Sequence, residues 1–239
     1  MASEHIVKGY DEELRRLSNP ITEMGGLAES QLAAAVDAVV KRDSEMAAIV
    51  VEGDAKVDQL QRDLDNLAIR LLALRQPMAR DLREIFAALK MGSDLERICD
   101  YAANVAKRSI ALNQTPPVRP VYALPRMAHL AQLLIKDVID AYVARDANKA
   151  YSVWTRDAEL DEMYSSLFRE LLTYMMEDPR NIGACTHLLF MAKNIERIGD
   201  HATNIAEDLY YLVHGTPLTE ARPKGDQSSL EIVTPNRSL

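Results

Sequence analysis

Glycine is scarce in this chain, and its scarcity already narrows the fold. Only nine of the 239 residues are glycine. Tight turns between strands depend on glycine, because it adopts left-handed backbone conformations most readily. A turn-rich β fold is therefore disfavoured, although 48% of the residues are apolar and can form a core.

Cysteine and long apolar runs are also scarce. The two cysteines, Cys99 and Cys185, are not arranged as a CxxC motif. Isolated cysteines of this kind are typical of core thiols in a reducing compartment. Charged residues interrupt every apolar run well before the roughly eighteen residues that a membrane-spanning helix needs. The N-terminus has no signal-peptide pattern. These features predict a cytoplasmic protein without membrane insertion.

Positive charge is in deficit. The chain has 28 lysines and arginines against 36 aspartates and glutamates, which gives a formal net charge of −8 and a pI near 5.2. Such an excess of negative charge repels the phosphates of nucleic acids and anionic lipids. We therefore expect neither nucleic acid nor a membrane surface as the main partner.

Helical periodicity, by contrast, is abundant. Apolar residues recur at alternating steps of three and four, which places them on one stripe of a packed helix. One such series is Val57, Leu60, Leu64, Leu67, Leu71 and Leu74. Pro20, Pro77 and Pro179 are expected to mark helix breaks, because the proline ring excludes an interior helical hydrogen bond.

These patterns predict an all-α fold of two tandem three-helix bundles, six helices in total. The first bundle is expected over residues 1–112 and the second over residues 123–215. Residues 113–122 are predicted to form the linker. Residues 216–239 are polar and aperiodic, which is typical of a disordered tail.

An internal repeat gives this arrangement a pseudo-twofold character. The segment 94–107 returns as 194–207, with seven of fourteen positions identical. The recurring set includes Glu, Arg, Asp and Asn together with small apolar residues. A repeat retained only for packing would need the apolar residues alone.

Helical spacing separates the acidic residues of the repeat from its core-facing aliphatic residues. At about 100° per residue, Glu96 and Asp100 lie on nearly the opposite side of their helix from the apolar stripe. The preceding helix carries another acidic pair, Asp54 and Asp58. Positions equidistant from Pro77 lie level in an antiparallel hairpin, so position 58 is expected to face 96, and position 54 to face 100.

The same arrangement recurs in the second unit. Asp157 and Asp161 lie level with Asp200 and Glu196 about the turn at Asp178–Pro179. Each unit is thus expected to present four carboxylates on the outside of one hairpin. Like charges at this spacing repel each other, and packing does not require them.

Two interpretations of these carboxylates remain open. Arg62, Arg97 and Arg197 could neutralise them in a salt-bridge network. Alternatively, each bundle binds a hard cation on its outer surface. Ligands that are all oxygen, without paired histidines or cysteines, are typical of Mg²⁺, Mn²⁺ or iron rather than of structural zinc.

With these motifs in place, the chain resembles the PhoU family of regulators of bacterial phosphate uptake. The similarity rests on four (Asp/Glu)-x-x-x-Asp motifs, on the segments Leu-Glu-Arg-Ile-Cys-Asp and Ile-Glu-Arg-Ile-Gly-Asp, and on the tandem three-helix pattern. The turn at residues 76–83 also looks like that of the family's first unit. The resemblance covers residues 4–214 and leaves the tail unmatched.

The resemblance implies a cytosolic, non-catalytic protein that is commonly a homodimer. It implies an adaptor and negative regulator that couples the ATPase subunit of the phosphate ABC transporter to the histidine kinase that senses phosphate starvation. It also implies divalent or trivalent hard metal ions (Mg, Mn or Fe), bound on the surface of each bundle. The implied metal ligands are Asp54, Asp58, Glu96, Asp100, Asp157, Asp161, Glu196 and Asp200.

Some residues are weaker candidates for metal ligands or for side chains that contact the ligands. They are Asn104, Asn204, Glu207, Arg97 and Arg197. Lys107 in the first unit corresponds to Glu207 in the second, so the second cluster is expected to bind metal more tightly or to hold more ions. His201 follows Asp200 and is a further candidate ligand, although its counterpart is Tyr101.

Two alternatives to the adaptor are considered. A di-metal enzyme of the ferritin-like type needs inward-facing Glu-x-x-His pairs, which the sequence lacks. A hydrolytic enzyme needs a general base beside an enclosed pocket, whereas these carboxylates are expected to face outward. The other alternative is a helical scaffold that binds no metal.

Overall fold

The computed structural model describes residues 8–75, 77–222 and 224–226. Within these ranges it contains seven α-helices, two short 3₁₀ helices (Arg119–Ala123 and Pro179–Asn181) and no strand. In chain order, α1 to α7 are Lys8–Arg15, Ser18–Lys41, Ser44–Arg75, Arg80–Leu112, Leu124–Ala144, Ala147–Glu177 and Ile182–His214. The predicted all-α fold with six long helices is confirmed. None of the described helices has a stretch that is long and apolar enough to span a membrane.

Helices break at prolines, where the sequence predicts the breaks. After α1, the chain restarts as α2 at Ser18, with Pro20 in the first turn, where its missing N–H is not needed. Pro77 lies between α3 and α4, and Pro179 begins the 3₁₀ turn between α6 and α7. These turns set the two hairpins that carry the acidic pairs.

Two three-helix units, α2–α4 and α5–α7, share one core. α4 packs along α7, and α2 packs along α5, so the units lie side by side. Their buried aliphatic residues form one continuous cluster. The contact between α2 and α5 is close at Gly25, where a methyl group would lie 2.6 Å from Cγ1 of Ile139. The two predicted bundles are therefore joined over a wide apolar interface.

The first loop of each unit is built in the same way. Arg42 and Arg145 end α2 and α5 in the left-handed conformation, with φ angles of 55° and 54°. The next residue, Asp43 or Asp146, caps the following helix. Its Oδ1 accepts the backbone N–H groups two and three positions later at 2.9–3.0 Å. The Arg-Asp pair that recurs in the sequence is thus a recurring turn.

The C-terminal residues differ from the prediction of a disordered tail. Residues 216–226, apart from Pro223, which lies outside the described residues, are termed the C-terminal segment. Within it, Leu218 packs against the apolar core, and Glu220 accepts a hydrogen bond from the Tyr151 hydroxyl at 2.8 Å. The segment is held because Arg222 pairs with the buried Asp157 of α6, and Asp226 pairs with the half-buried Lys193 of α7. Residues 227–239 lie outside the described residues, so the prediction is untested there.

Removing the cap of α6 is expected to destabilise the fold. Asp146→Ala leaves the backbone N–H groups of Asn148 and Lys149 without their acceptor, and the expected loss in the free energy of unfolding is about 1 kcal/mol. Asp146→Asn retains an acceptor oxygen and is the matched control. Urea denaturation followed by circular dichroism measures the difference. Equal stability of the two variants would contradict the capping role.

Candidate metal centre

The four carboxylates predicted as ligands in the first unit come together between α3 and α4. Asp54, Asp58, Glu96 and Asp100 are termed the first acidic cluster. Asp54 and Asp100 lie within hydrogen-bonding reach of each other, and Glu96 is close enough to the other three to be affected by their charges. All four side chains are half-buried. The hairpin places them level, as their distances from its turn predict.

Cations at the edge of the first acidic cluster compensate it in part. Arg97 is 57% exposed, with Nε 3.7 Å from Oε2 of Glu96 and Nη1 3.5 Å from Oδ2 of Asp100. Burial, followed by the charges of neighbouring carboxylates, raises the pKa of Asp54 and of Glu96 above their ordinary values. The charge of Lys107 acts on the pKa of Asp54 in the opposite direction.

The second acidic cluster, Asp157, Asp161, Glu196 and Asp200, lies between α6 and α7 and is much more deeply buried. The exposed fractions of Asp157, Asp161 and Glu196 are 1%, 3% and 4%. Gly199 permits this close packing, since a methyl group there would overlap Oδ1 of Asp157 and lie 2.6 Å from Cδ2 of Leu160. The expectation of an open patch on the outside of each bundle is therefore wrong for the second unit. The C-terminal segment covers this patch.

Two cations of the same chain neutralise part of the second acidic cluster. Arg222 of the C-terminal segment pairs with Asp157, and its Nη2 lies 2.7 Å from Oδ1 of Asp200. Nζ of Lys193 lies 2.9 Å from Oε1 of Glu196. The salt-bridge interpretation thus holds for these contacts, but with cations other than the three arginines considered from the sequence.

Burial dominates the electrostatics of the second acidic cluster. It raises the pKa of Asp157 to about 6, although Arg222 opposes the shift. It raises the pKa of Glu196 to about 7, against the effect of Lys193. Burial also raises the pKa of Asp161. At neutral pH Glu196 is therefore poised between its protonated and ionised forms.

Within the two acidic clusters, as the structure describes them, three buried carboxylate oxygens have no hydrogen-bond partner: Oδ1 of Asp54, Oδ1 of Asp157 and Oε2 of Glu196. Desolvated oxygens of this kind are unfavourable unless a proton or a cation meets them. In the described parts of the chain, no three His, Cys, Asp or Glu side chains stand in an arrangement that would hold a metal ion as it is. The oxygen ligands fit a hard cation in their chemistry, and coordination would require the carboxylates to turn about their side-chain bonds.

Comparison with known proteins assigns this chain, with its two helical units, to a family. The PhoU domain model matches residues 21–109 and 124–209, which correspond to the two helical units. The chain belongs to the PhoU family. The resemblance inferred from the sequence is confirmed, with one domain match for each repeat.

Relatives of this PhoU-family chain match nearly its whole length. The phosphate-specific transport system accessory protein PhoU homolog of Caulobacter vibrioides is 52% identical over 225 residues, which cover 94% of this chain and 98% of the relative. The Rhizobium meliloti protein of the same name is 50% identical over 230 residues, covering 96% and 97%. The crystal structure of PhoU from Pseudomonas aeruginosa is 40% identical with a TM-score of 0.84, covering 87% of this chain and 100% of that chain. A family of accessory proteins confirms that the chain is not an enzyme.

Asn204 and His201 contribute to the interface between α4 and α7 and not to the second acidic cluster. Both meet Oδ1 of Asp94, with Nδ2 of Asn204 at 3.3 Å and Nδ1 of His201 at 2.6 Å. Sequence reasoning missed Asp94, because its counterpart in the repeat, Asn194, is neutral. Asn104 lies half-buried on α4, one turn beyond the first acidic cluster.

Glu207 and Arg197 also point elsewhere. Oε1 of Glu207 accepts a hydrogen bond from Nε1 of Trp154 at 2.8 Å, and the Arg197 guanidinium lies 5.7 Å from the centroid of the Tyr101 ring. The expected advantage of the second cluster in metal binding rested on Glu207. The geometry gives that expectation no support. Lys107, which corresponds to Glu207 in the first unit, does act on the pKa of Asp54 in the first acidic cluster.

Both cations of the second acidic cluster were missed from the sequence. Lys193 precedes Glu196 by three residues, a spacing that places them on one helix face and could have identified the pair. Arg222 lies in an aperiodic polar segment. Periodicity predicts no partner for such a residue, so the sequence held no signal for it.

The buried carboxylates predict that the metal-free protein loses stability as pH rises. The folded-state pKa of Glu196, about 7, lies above the ordinary 4.5, so the folded state retains a proton that the unfolded state releases between these pH values. This contribution to stability is fully present below about pH 4.5 and is lost as pH rises through about 7. Glu196→Gln cannot ionise and should be more stable than the wild type at about pH 8, by about 1–3 kcal/mol.

Chemical denaturation in the presence of a chelator, at about pH 4 and about pH 8, measures this difference. At the lower pH the variant and the wild type should be nearly equal. Glu96→Gln is the matched control, because its half-buried position in the first acidic cluster should give a smaller gain. A Glu196→Gln difference that does not change with pH would contradict the retained proton.

Proposed function

We propose that this PhoU-family chain is a non-catalytic accessory regulator of a phosphate-specific transport system. In this role it restrains phosphate uptake and phosphate-starvation signalling by coupling the ATPase subunit of the phosphate ABC transporter to a sensor histidine kinase. The role places the protein in the cytoplasm, as a homodimer. The observation that carries the proposal is the near-complete match to relatives named as accessory proteins of phosphate-specific transport.

We further propose that both acidic clusters bind hard metal ions, Mg²⁺, Mn²⁺ or iron. Each cluster offers four carboxylates, the ligand type that these ions prefer. The unpartnered oxygens of Asp54, Asp157 and Glu196 would gain a positive partner. A bound metal supplies positive charge, which would lower the raised pKa values of these carboxyls and keep them ionised at neutral pH.

An exposed apolar patch is the proposed binding surface for the transporter's ATPase subunit. Around the turn between α3 and α4, Leu74, Met78, Leu82 and Phe86 are exposed, Met78 to 79%. Apolar side chains grouped on a surface are typical of protein interaction sites. Because the same hairpin carries the first acidic cluster, a partner at its turn would contact the helices that hold the carboxylates.

A metal-free helical scaffold is the second candidate. One observation favours it: Arg222 and Lys193 already neutralise part of the second acidic cluster. The half-buried first acidic cluster does not share this feature to the same degree, since its partner Arg97 is mostly exposed. Measurements of metal content separate the two candidates.

Metal binding is tested on protein purified without a chelator. We expect elemental analysis to find Mg, Mn or Fe, and added Mn²⁺ to raise the melting temperature of chelator-treated protein. Asp54→Asn and Glu96→Gln should each weaken binding at the first acidic cluster by at least about tenfold, because each removes an anionic ligand. Asp37→Asn, which changes an exposed carboxylate paired with Lys41, is the control. Absence of both metal and thermal shift would favour the scaffold.

The apolar patch predicts a specific binding defect. Met78→Asp places a charge in the patch and should weaken capture of the transporter's ATPase subunit by about tenfold or more in a quantitative pull-down. Ile49→Asp, at a similarly exposed apolar position near the start of α3, is the matched control. In cells that lack the native gene, the control should restore repression of phosphatase expression, and Met78→Asp should not. Equal capture of both variants would remove the patch from the proposal.

A further inference from the structure

The C-terminal segment contacts three of the four carboxylates of the second acidic cluster directly. Arg222 pairs with Asp157 of α6 and with Asp200 of α7, the latter at 2.7 Å. The backbone N–H of Gly225 donates to Oδ2 of Asp161 at 2.9 Å. A segment that was expected to be disordered is therefore connected to both helices that carry the cluster.

The fourth carboxylate, Glu196, is connected to the segment through Lys193. Nζ of Lys193 lies 2.9 Å from Oε1 of Glu196 and 2.9 Å from Oδ2 of Asp226. One ammonium group thus joins the cluster to the end of the segment. Together these contacts lie over three acidic side chains that are almost completely buried.

The backbone of the segment also fits closely against α6. A methyl group on Gly225 would lie 2.9 Å from the carbonyl oxygen of Ala158 and 3.0 Å from Cβ of Asp161. A larger residue at this position therefore requires the segment to move. Arg222 itself is only 16% exposed, so its guanidinium is enclosed between the segment and the cluster.

We propose that the C-terminal segment is a built-in occupant of the second acidic cluster, in which Arg222 takes the place of a bound metal ion. A metal ion then enters this cluster only when the segment leaves it. The inference rests on the proposed metal binding. It adds that the two clusters bind metal under different conditions, and that loading of the second one releases the segment.

Charge and geometry make the two occupants exclusive. A guanidinium places a permanent positive charge among carboxylates that are shielded from water, where uncompensated charge is strongly unfavourable. Arg222 uses oxygens of both Asp157 and Asp200, which a metal ion between the helices would also need. A metal ion between the helices would also lie close to the Arg222 guanidinium, and two cations in a poorly solvated site repel each other. Metal binding is therefore an exchange of one cation for another.

Among the described residues, no segment from outside the hairpin supplies a cation to the first acidic cluster in this way. Its cations, Arg97 and Lys107, come from α4 itself, and its carboxylates remain half-buried. An ion can reach it by movement of side chains alone. At the second acidic cluster a backbone segment has to leave, which links occupancy of that site to a change in the surface of α6 and α7.

Competition is measured as Mn²⁺ affinity in full-length protein that carries Asp54→Asn and Glu96→Gln, so that the second acidic cluster dominates the signal in isothermal titration calorimetry. Adding Arg222→Gln should tighten Mn²⁺ binding by about tenfold or more, since the cluster is then more often open. Lys224→Gln removes the same charge from an exposed position of the same segment and should leave the affinity unchanged. Equal affinities of the Arg222→Gln and Lys224→Gln proteins would overturn the competition.

A second variant separates docking of the segment from the arginine charge. Gly225→Val keeps Arg222 but does not fit against α6, so it should also tighten Mn²⁺ binding. Release is followed by trypsin cleavage after Lys224, because the bond after Arg222 precedes proline and resists trypsin. Saturating Mn²⁺ should accelerate this cleavage in the wild type, and the Arg222→Gln protein should be cut rapidly even without metal. Cleavage that does not respond to Mn²⁺ would overturn release of the segment.

Failure of this inference differs from failure of metal binding itself. If Mn²⁺ binds all variants equally, the clusters hold metal but the segment does not compete for it. If no variant binds Mn²⁺, including wild type with its first acidic cluster intact, the metal proposal fails, and the competition fails with it. Tighter binding in both Arg222→Gln and Gly225→Val supports both.

Discussion

Carboxylates that are crowded together and shielded from water need a positive partner, and the two halves of this molecule meet that need differently. In the first acidic cluster the helix that bears Glu96 also supplies Arg97, at the edge of a half-buried site. In the second, a segment distant in sequence brings Arg222 among nearly buried oxygens. The deeper burial of the second acidic cluster raises the pKa of Asp157 to about 6 and that of Glu196 to about 7.

The apolar core fixes where these charges can lie. α4 and α7 pack against each other and against the helices of their own unit, so most of their surface is committed to packing. The remaining stripe of each helix faces its hairpin partner, α3 or α6, and carries the acidic pair. Like charges stay close because the helices that bear them cannot separate without exposing the core. The helical core thus holds the clusters in place, and the stability of that core comes from apolar packing and not from the clusters.

Much of this arrangement could be predicted from the sequence. Periodicity and prolines located the long helices, and the distances of Asp54 and Asp100 from Pro77 predicted that they lie level. The placement of Glu207 could not be predicted in this way. An angular position on one helix does not show that Trp154, on another helix, holds its carboxylate. Arg222 could not be predicted because its partner Asp157 lies 65 residues away in the sequence and no periodic pattern surrounds the arginine.

The common core has a consequence for the origin of the chain. A single three-helix unit on its own would leave the inner faces of its helices uncovered where the other unit now packs. A second copy of the same unit, related by a twofold axis, would cover those faces. The pseudo-symmetric pair thus has, within one polypeptide, the arrangement of a twofold dimer of three-helix units. Within one polypeptide the two copies can diverge independently, and in the described part of the chain a covering segment lies over the acidic cluster of the second unit.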